Sequence, residues 1–225
     1  MIVISVYNDI EIVKNFLVSL EKTNNLDEKI LLVCSCPKQT KMLEFLNGIK
    51  NNSPYNFNFD FTVTPYSGYE VGSFIWSYKN FTDEYYIFLQ DSLLINSSGW
   101  LDKFKEFRDE YTVNAWCSFK LNDEKLHTDF FFPKMGFIPK SLNGGIGIFG
   151  NIFQISRSSL NKINEKFNLD NFIPSNKLED CSMERGWSYL SIYSDLKINC
   201  IDGNYSRDSS FYKDKLITKL FNNRE

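Results

Sequence analysis

The 225-residue sequence lacks the features that mark several large classes of protein. It has no excess of positive charge, since 25 Lys and Arg stand against 28 Asp and Glu, and this disfavours a nucleic acid as the main partner. It has no run of about 20 apolar residues, so no transmembrane segment is predicted. No basic leader precedes the short apolar run at its beginning, and we therefore expect a cytoplasmic protein without a signal peptide.

Several residue patterns that bind metals or phosphates are also missing. The only histidine is His127, which is interpreted as structural or exposed. The run IVISVYND contains neither GxGxxG nor GxxxxGK[ST], which disfavours a dinucleotide dehydrogenase and a P-loop NTPase. The cysteines are odd in number and lack metal-ligand spacing, so we expect reduced, mostly buried thiols in a reducing compartment. They are Cys34, Cys36, Cys117, Cys181 and Cys200.

The first ninety residues alternate between short apolar runs and amphipathic segments. This alternation predicts a mainly parallel sheet with right-handed crossovers and helices on both faces. The predicted strands are 1–6, 29–34, 57–63 and 85–89, and the predicted helices are 12–20, 38–50 and 70–80.

The second half is less regular. Its predicted helices are 99–111, 158–167 and 181–190, and its predicted strands are 114–121, 151–156 and 197–201. We expect irregular chain over 126–142 and a loop over 174–179. The apolar residues within 212–224 have helical spacing, which predicts a terminal amphipathic helix packed on the domain. No repeat or low-complexity linker divides the chain, so a single domain over 1–225 is the simplest organisation.

Polar side chains follow three of the predicted strands. In an open parallel sheet, ligands bind beyond the carboxyl ends of the strands, at the point where the strand order reverses. If these side chains converge, they would form a nucleotide pocket, although Asp9 could simply cap a helix and Gly68 could simply allow a turn. The candidates are Tyr7, Asn8, Asp9, Tyr66, Gly68, Glu70, Gln90 and Asp91.

Four segments resemble, in the expected order, blocks of GT-A fold glycosyltransferases, and in particular of small, partly viral and bacterial, glycosyltransferase-like proteins. They are IVISVYND, YSGYEVGSFIWSYKNFTDEYYIFLQDS, GGIGIFGNIFQISRSSL and LEDCSMERGWSYL. The resemblance implies one Rossmann-like GT-A domain, in which 1–95 binds a nucleotide sugar and 96–225 binds the acceptor. It also implies transfer of a sugar from a nucleoside diphosphate to a hydroxyl of a glycan or other acceptor.

The D-x-D motif of the family would fall on Gln90, Asp91 and Ser92. The resemblance implies that Asp91 contacts the ribose, the diphosphate, or a Mn²⁺ or Mg²⁺ ion. One carboxylate beside Gln and Ser is a poor site for a hard cation, so metal dependence stays open. Lys, Arg or helix N-termini could carry the phosphates instead.

The late helix would supply the catalytic base of an inverting enzyme. Asp180 or Glu179 would take the acceptor proton, with Glu184 as the third acid of the cluster. Arg157 could bind a phosphate or an acceptor anion, or lie on the surface. Trp187 could support a sugar ring or belong to the core.

Two other functions stay open at this stage. Loss of two D-x-D acids would also suit a weak or inactive GT-A-like protein that binds glycans without turnover. A nucleotidyltransferase of related fold would consume nucleoside triphosphates instead of nucleotide sugars.

Overall fold

A seven-stranded sheet forms the centre of the protein, as seen in a computed structural model. The structure describes residues 1–7, 9–23, 26–35, 40–66, 69–121, 125–140, 145–202, 212–213 and 216–219. The strands of the sheet are β1 (Ile2–Val6), β2 (Ile30–Cys34), β3 (Asp60–Val63), β4 (Tyr85–Gln90), β6 (Thr112–Ala115), β9 (Phe153–Ser156) and β10 (Lys197–Cys200). Their order is β10-β6-β9-β4-β1-β2-β3.

All pairings in this sheet are parallel except those of β9, which runs antiparallel to both β4 and β6. β1 and β2 are buried along their whole length, which explains why they read as continuous apolar runs in the sequence. After β1 the chain continues to β2 and β3 on one side, and then returns to β4 on the other side. The strand order therefore reverses between β1 and β4.

The helices are α1 (Ile10–Leu20), α2 (Thr40–Asn51), α3 (Tyr69–Asn80), α4 (Trp100–Glu106), α5 (Lys125–Phe131), α6 (Arg157–Phe167) and α7 (Lys177–Ile192). Short 3₁₀ turns cover Pro133–Met135, Phe149–Asn151 and Leu169–Phe172. The predicted β-α-β-α-β-α-β order of the first half is confirmed, with boundaries that differ by three residues or fewer. Among the described helices, none is both long and apolar enough to cross a membrane.

Aromatic side chains join the two halves of the chain in one core. The ring of Phe88 on β4 lies between Phe74 of α3, at 4.5 Å, and Phe153 of β9, at 5.2 Å. Trp187 of α7 packs on the other side of Phe153, also at 5.2 Å between ring centroids. Both halves therefore share a single apolar interior.

The second half differs from the sequence prediction in several places. The expected strand over 114–121 is two strands, β6 and β7 (Ser118–Lys120), and β7 pairs with β8 (Ile146–Ile148) in a separate ribbon. The expected irregular region 126–142 contains most of α5. The expected loop 174–179 contains the start of α7, because the side chain of Asn176 caps this helix by accepting from the Glu179 backbone N–H.

The predicted C-terminal helix is wrong. The described residues there form β11 (Tyr212–Lys213) and β12 (Ile217–Lys219), and β12 pairs antiparallel with β5 (Leu93–Ile95). Ile217 is fully buried opposite Ile95. The backbone groups of β5 need a partner strand, and this tertiary contact outweighs the helical spacing of the local apolar residues.

Candidate active site

The carboxyl ends of β1 and β4 meet at the point where the strand order reverses. There the Tyr7 backbone N–H donates to Asp91 Oδ2 at 2.9 Å, while the Asp91 N–H donates to the Ser5 carbonyl at 3.1 Å. These bonds hold the Asp91 side chain across the crevice, where the residue is only 2% exposed. The sequence thus placed this carboxylate at the correct edge of the sheet.

A small cavity of about 10 Å³ opens beside Asp91. Its lining residues are Ser5, Tyr7, Ser35, Tyr69, Glu70 and Asp91. This is room for about one water molecule, so a larger ligand would lie in the open crevice beside the cavity. Three predicted residues, Tyr7, Glu70 and Asp91, therefore share one cavity although they lie far apart in the chain.

Two features of the residues around this cavity suit a flat polar ring in the adjoining crevice. The rings of Tyr7 and Tyr69 stack with centroids 5.4 Å apart and form an aromatic wall. The Ser35 hydroxyl is buried and has no hydrogen-bond partner among the residues described. A buried polar group of this kind needs a partner, which a ligand would provide. Tyr69 itself has a φ of +47°, an uncommon conformation for a residue with a side chain and one that is often found at functional sites.

A charge cluster with two buried carboxylates lies next to the cavity, where the N-terminus of α7 meets that of α3. Lys177 Nζ donates to Asp180 Oδ2 at 2.7 Å and to the two carboxylate oxygens of Glu70 at 3.2 and 3.3 Å. The Val71 backbone N–H donates to the other Asp180 oxygen at 3.4 Å. Asp180 is 1% exposed and Glu70 is 8% exposed. The cluster therefore links the predicted base to the wall of the cavity.

Burial raises the pKa of Asp180 well above its ordinary value, and the charge of Glu70 acts in the same direction. Lys177 opposes this rise. Burial alone would lower the pKa of Lys177, but the charges of Glu70 and Asp180 outweigh it and raise that pKa. A carboxylate with a raised pKa is a stronger base than one in water, so Asp180 has the chemistry of a general base.

The other two acids of the predicted cluster lie elsewhere on α7. Glu179 is half-buried and accepts hydrogen bonds from the backbone N–H and hydroxyl of Ser175. Burial raises its pKa, but the hydrogen bonds from Ser175, together with the charge of Lys134, outweigh that effect and lower it. Glu184 accepts from the Gly150 N–H at 2.8 Å. Of Glu179, Asp180 and Glu184, Asp180 is the acid that the described contacts connect to Glu70.

The structure does not bring Arg157 and Trp187 to the cavity. Because β9 runs antiparallel to β4, Arg157 lies at the amino end of β4, the opposite edge of the sheet. Its guanidinium donates to the carbonyls of Tyr78 and Phe81 and to the Tyr86 hydroxyl. Trp187 is 1% exposed and belongs to the aromatic core, not to a sugar platform.

The remaining predicted residues have local roles. Asp9 caps α1 by accepting from the Glu11 and Ile12 backbone N–H groups. Tyr66 is half-buried and donates its hydroxyl proton to Asp170 at 3.3 Å. Gln90 is buried as the last residue of β4. Asn8 and Gly68 lie outside the described residues.

The donor set near Asp91 does not fit a divalent cation held by the protein alone. Gln90 and Ser92 replace the outer acids of D-x-D, and Asp91 Oδ2 already accepts from Tyr7. In the part of the chain that the structure describes, no three His, Cys, Asp or Glu side chains form a metal-binding group. Asp91 as a metal ligand stays a prediction, and nothing proposed below depends on a metal.

Sequence comparison identifies no relative: no family model matches the chain, and no curated protein sequence matches it. Solved structures do match it. GalNAc-T7 with UDP, GalNAc and Mn²⁺ gives a TM-score of 0.61 at 11% identity, over 92% of this chain and 44% of that one. The fold is that of the GT-A glycosyltransferases.

Two further structures agree with the GT-A fold. The mannosyltransferase PcManGT from Pyrobaculum calidifontis, in complex with GDP-Man and Mn²⁺, gives a TM-score of 0.56 at 11% identity, over 89% of this chain and 54% of that one. TarS from S. aureus gives 0.51 at 11% identity, over 98% of this chain and 36% of that one. The chain thus spans less than two thirds of the length of these proteins, and at such low identity the likeness concerns the fold.

Proposed function

We propose that the protein is a glycosyltransferase that moves a sugar from a nucleoside-diphosphate sugar to a hydroxyl of a glycan or other acceptor. The observation that carries the proposal is the position of the polar cluster. Glu70 and Asp91 line one cavity at the strand-order reversal of a GT-A sheet, and Lys177 joins Glu70 to Asp180. GalNAc-T7 with UDP and PcManGT with GDP-Man have this fold and hold nucleotides, which supports a nucleotide donor here.

The open crevice beside this cavity would receive the nucleoside part of the donor. Its Tyr7–Tyr69 wall offers an aromatic face to a base, and the Ser35 hydroxyl offers it a hydrogen bond. Asp91 would accept from a ribose hydroxyl, because a carboxylate is acceptor-only when ionised. Further contacts to the donor are proposed for Asn8, Asp9, Tyr66, Gly68 and Gln90, the remaining candidates from the strand ends.

Asp180 would act as the base of an inverting transfer. It would take the proton of the acceptor hydroxyl as that oxygen bonds to the anomeric carbon of the sugar. The bond between this carbon and the diphosphate oxygen would break on the opposite side, and the nucleoside diphosphate would leave. The transition state has oxocarbenium character, so negative charge near the sugar and positive charge near the diphosphate both stabilise it.

A cytoplasmic location stays an expectation.

A thermal-shift screen tests the proposal. The panel contains nucleoside diphosphates and their sugars, with and without Mn²⁺, and includes nucleoside triphosphates and free glycans as the alternatives. A ligand at 100 times its Kd stabilises the folded state by about 2.7 kcal/mol. For a chain of this size, that corresponds to a rise in Tm of roughly 5–10 °C.

We expect a selective rise with one nucleotide sugar and its nucleoside diphosphate. A rise with nucleoside triphosphates alone would favour a nucleotidyltransferase. A rise with glycans alone would favour a binding protein. If no nucleotide sugar changes the Tm, the proposed function is contradicted.

A further inference from the structure

Lys177 occupies an unusual position between the cavity and the proposed base. Its ammonium contacts Asp180 at 2.7 Å and Glu70 at 3.2 Å, and it lies 5.5 Å from the centroid of the Tyr69 ring. The ring of Tyr69 also stacks with that of Tyr7. The lysine side chain is about half exposed, whereas both carboxylates are nearly buried. The Lys177 ammonium therefore contacts two carboxylates and lies beside the aromatic wall of the cavity.

Two neighbouring buried carboxylates resist being ionised together. Each negative charge disfavours the other, and burial disfavours both, so such a pair tends to keep one shared proton. A protonated Asp180 could not accept a proton from a substrate. A cation in direct contact opposes this effect, because an opposite charge at hydrogen-bond distance favours the ionised form.

We propose that Lys177 is a positioning residue of the transfer reaction: its ammonium favours the ionised form of Asp180 beside Glu70, in which Asp180 can accept the proton of the acceptor hydroxyl. This inference rests on the proposed function and assigns a role to a residue that the strand-end pattern does not reveal. Lys177 acts through Asp180 and does not itself take part in bond making or breaking.

Several groups face this cluster from the surrounding helices and must be considered in a pH experiment. They are Glu70 and Tyr69 of α3, Cys181 and Glu184 of α7, His127 of α5 through Ser182, and Asp91 across the cavity. Burial raises the pKa of the Cys181 thiol to about 11, so this group stays neutral between pH 5 and 9. His127 is present in every variant below, and its own titration cancels when variants are compared.

The first test compares Lys177→Met, which removes the charge, with Lys177→Arg, which keeps it. Lys105→Met is the matched control, since Lys105 forms a 2.6 Å ion pair with Asp27 away from the cavity. Without the cation, the proposed base should need a higher pH to ionise. We expect the acid limb of the kcat/KM profile of Lys177→Met to move up by about one pH unit or more, with roughly tenfold lower kcat/KM below the limb and recovery above it.

The acid limb of the kcat/KM profile should lie at the wild-type pH in both Lys177→Arg and Lys105→Met. A uniform loss of kcat/KM at every pH in Lys177→Met, with an unmoved limb, would show a purely structural role and overturn the inference. The same conclusion would follow if Lys177→Arg behaved like Lys177→Met although both variants fold.

The second test does not need turnover. In Lys177→Met the folded protein should hold a proton on the carboxylate pair at pH values where the unfolded chain has released it. Stability then falls as pH rises until the raised pKa is passed. We therefore expect the Tm gap between wild type and Lys177→Met to widen from pH 5 to pH 9, by about 3 °C or more, while the gap for Lys105→Met stays flat.

Adding Glu70→Gln to Lys177→Met removes the second carboxylate and should return the pH dependence of Tm towards that of wild type. A flat Tm gap in Lys177→Met, unaffected by Glu70→Gln, would overturn the inference. The Tm series also separates the two proposals. If the gap widens while no nucleotide sugar is turned over, the charge coupling holds and the proposed function fails.

Discussion

Replacing Asp180 with Asn should abolish most activity without unfolding the protein. The side chain accepts from the Val71 N–H through one oxygen and from Lys177 through the other. Asn has one oxygen in place of two, so one of these donors loses its acceptor at a cost of about 1–3 kcal/mol. The change also removes a buried negative charge beside Glu70, which offsets part of that cost. A domain stable by roughly 5–15 kcal/mol stays folded after such a loss.

The effect on catalysis should be much larger. An amide cannot accept a proton at neutral pH, and loss of a general base typically lowers the rate by about 10²- to 10⁴-fold. We expect kcat of Asp180→Asn to fall within this range while the Kd of the donor stays within about threefold of wild type. The assay is release of the nucleoside diphosphate from the donor identified by thermal shift, in the presence of acceptor.

Glu179→Gln provides the matched control. Glu179 precedes Asp180 on the same helix, is half-buried, and bonds to Ser175 instead of the charge cluster. Its kcat should stay within about threefold of wild type, since it makes no contact with the site. The reasoning would be refuted if Asp180→Asn kept more than about a tenth of the wild-type kcat, or if Glu179→Gln lost as much activity as Asp180→Asn.

Two further substitutions test the account of the scaffold. Gly147→Ala should lower the Tm by roughly 2–10 °C. The new Cβ would lie 2.4 Å from the ring of Phe119, and overpacking of this kind typically costs about 1–3 kcal/mol. An unchanged Tm in a denaturation scan would contradict this packing. Arg157→Met should also lower the Tm, because the carbonyls of Tyr78 and Phe81 lose the guanidinium that donates hydrogen bonds to them. The Kd of the nucleotide sugar should not change. A large loss of nucleotide-sugar affinity on titration would instead place Arg157 in the site.

The first half of the fold could be predicted from the sequence because local pattern and tertiary environment agree there. β1, β2 and β4 are buried on both faces, so their runs of apolar residues leave little alternative to a strand. The intervening amphipathic segments carry apolar residues on one face, as α1 does with Val13, Phe16, Leu17 and Leu20.

The chain end could not be predicted in the same way. Leu216 and Ile217 fit a helical face, yet β12 forms because β5 offers backbone partners more than 120 residues earlier in the sequence. Such pairing depends on long-range contacts that no local window contains. The same limit applies to α7, whose start at Lys177 is set by the capping side chain of Asn176.

The site was predicted in part for a similar reason. The strand-end rule found Tyr7 and Asp91, and the same rule applied to β2 would have found Ser35. Lys177 has no comparable signal, because it meets Glu70 across 107 residues through the packing of α7 on α3. Arg157 was misplaced in the prediction because the antiparallel direction of β9 cannot be read from the sequence of that strand.

The central claim is that the crevice between β1 and β4 binds a nucleotide sugar, and the donor Kd of Asp91→Asn tests it most directly. Glu84→Gln, an exposed change near the opposite end of β4, is the control. Loss of a hydrogen bond to a charged acceptor costs about 1.5–3 kcal/mol, so the account predicts roughly ten- to a hundredfold weaker binding for Asp91→Asn and an unchanged Kd for Glu84→Gln. Equal affinity in wild type and Asp91→Asn would contradict it.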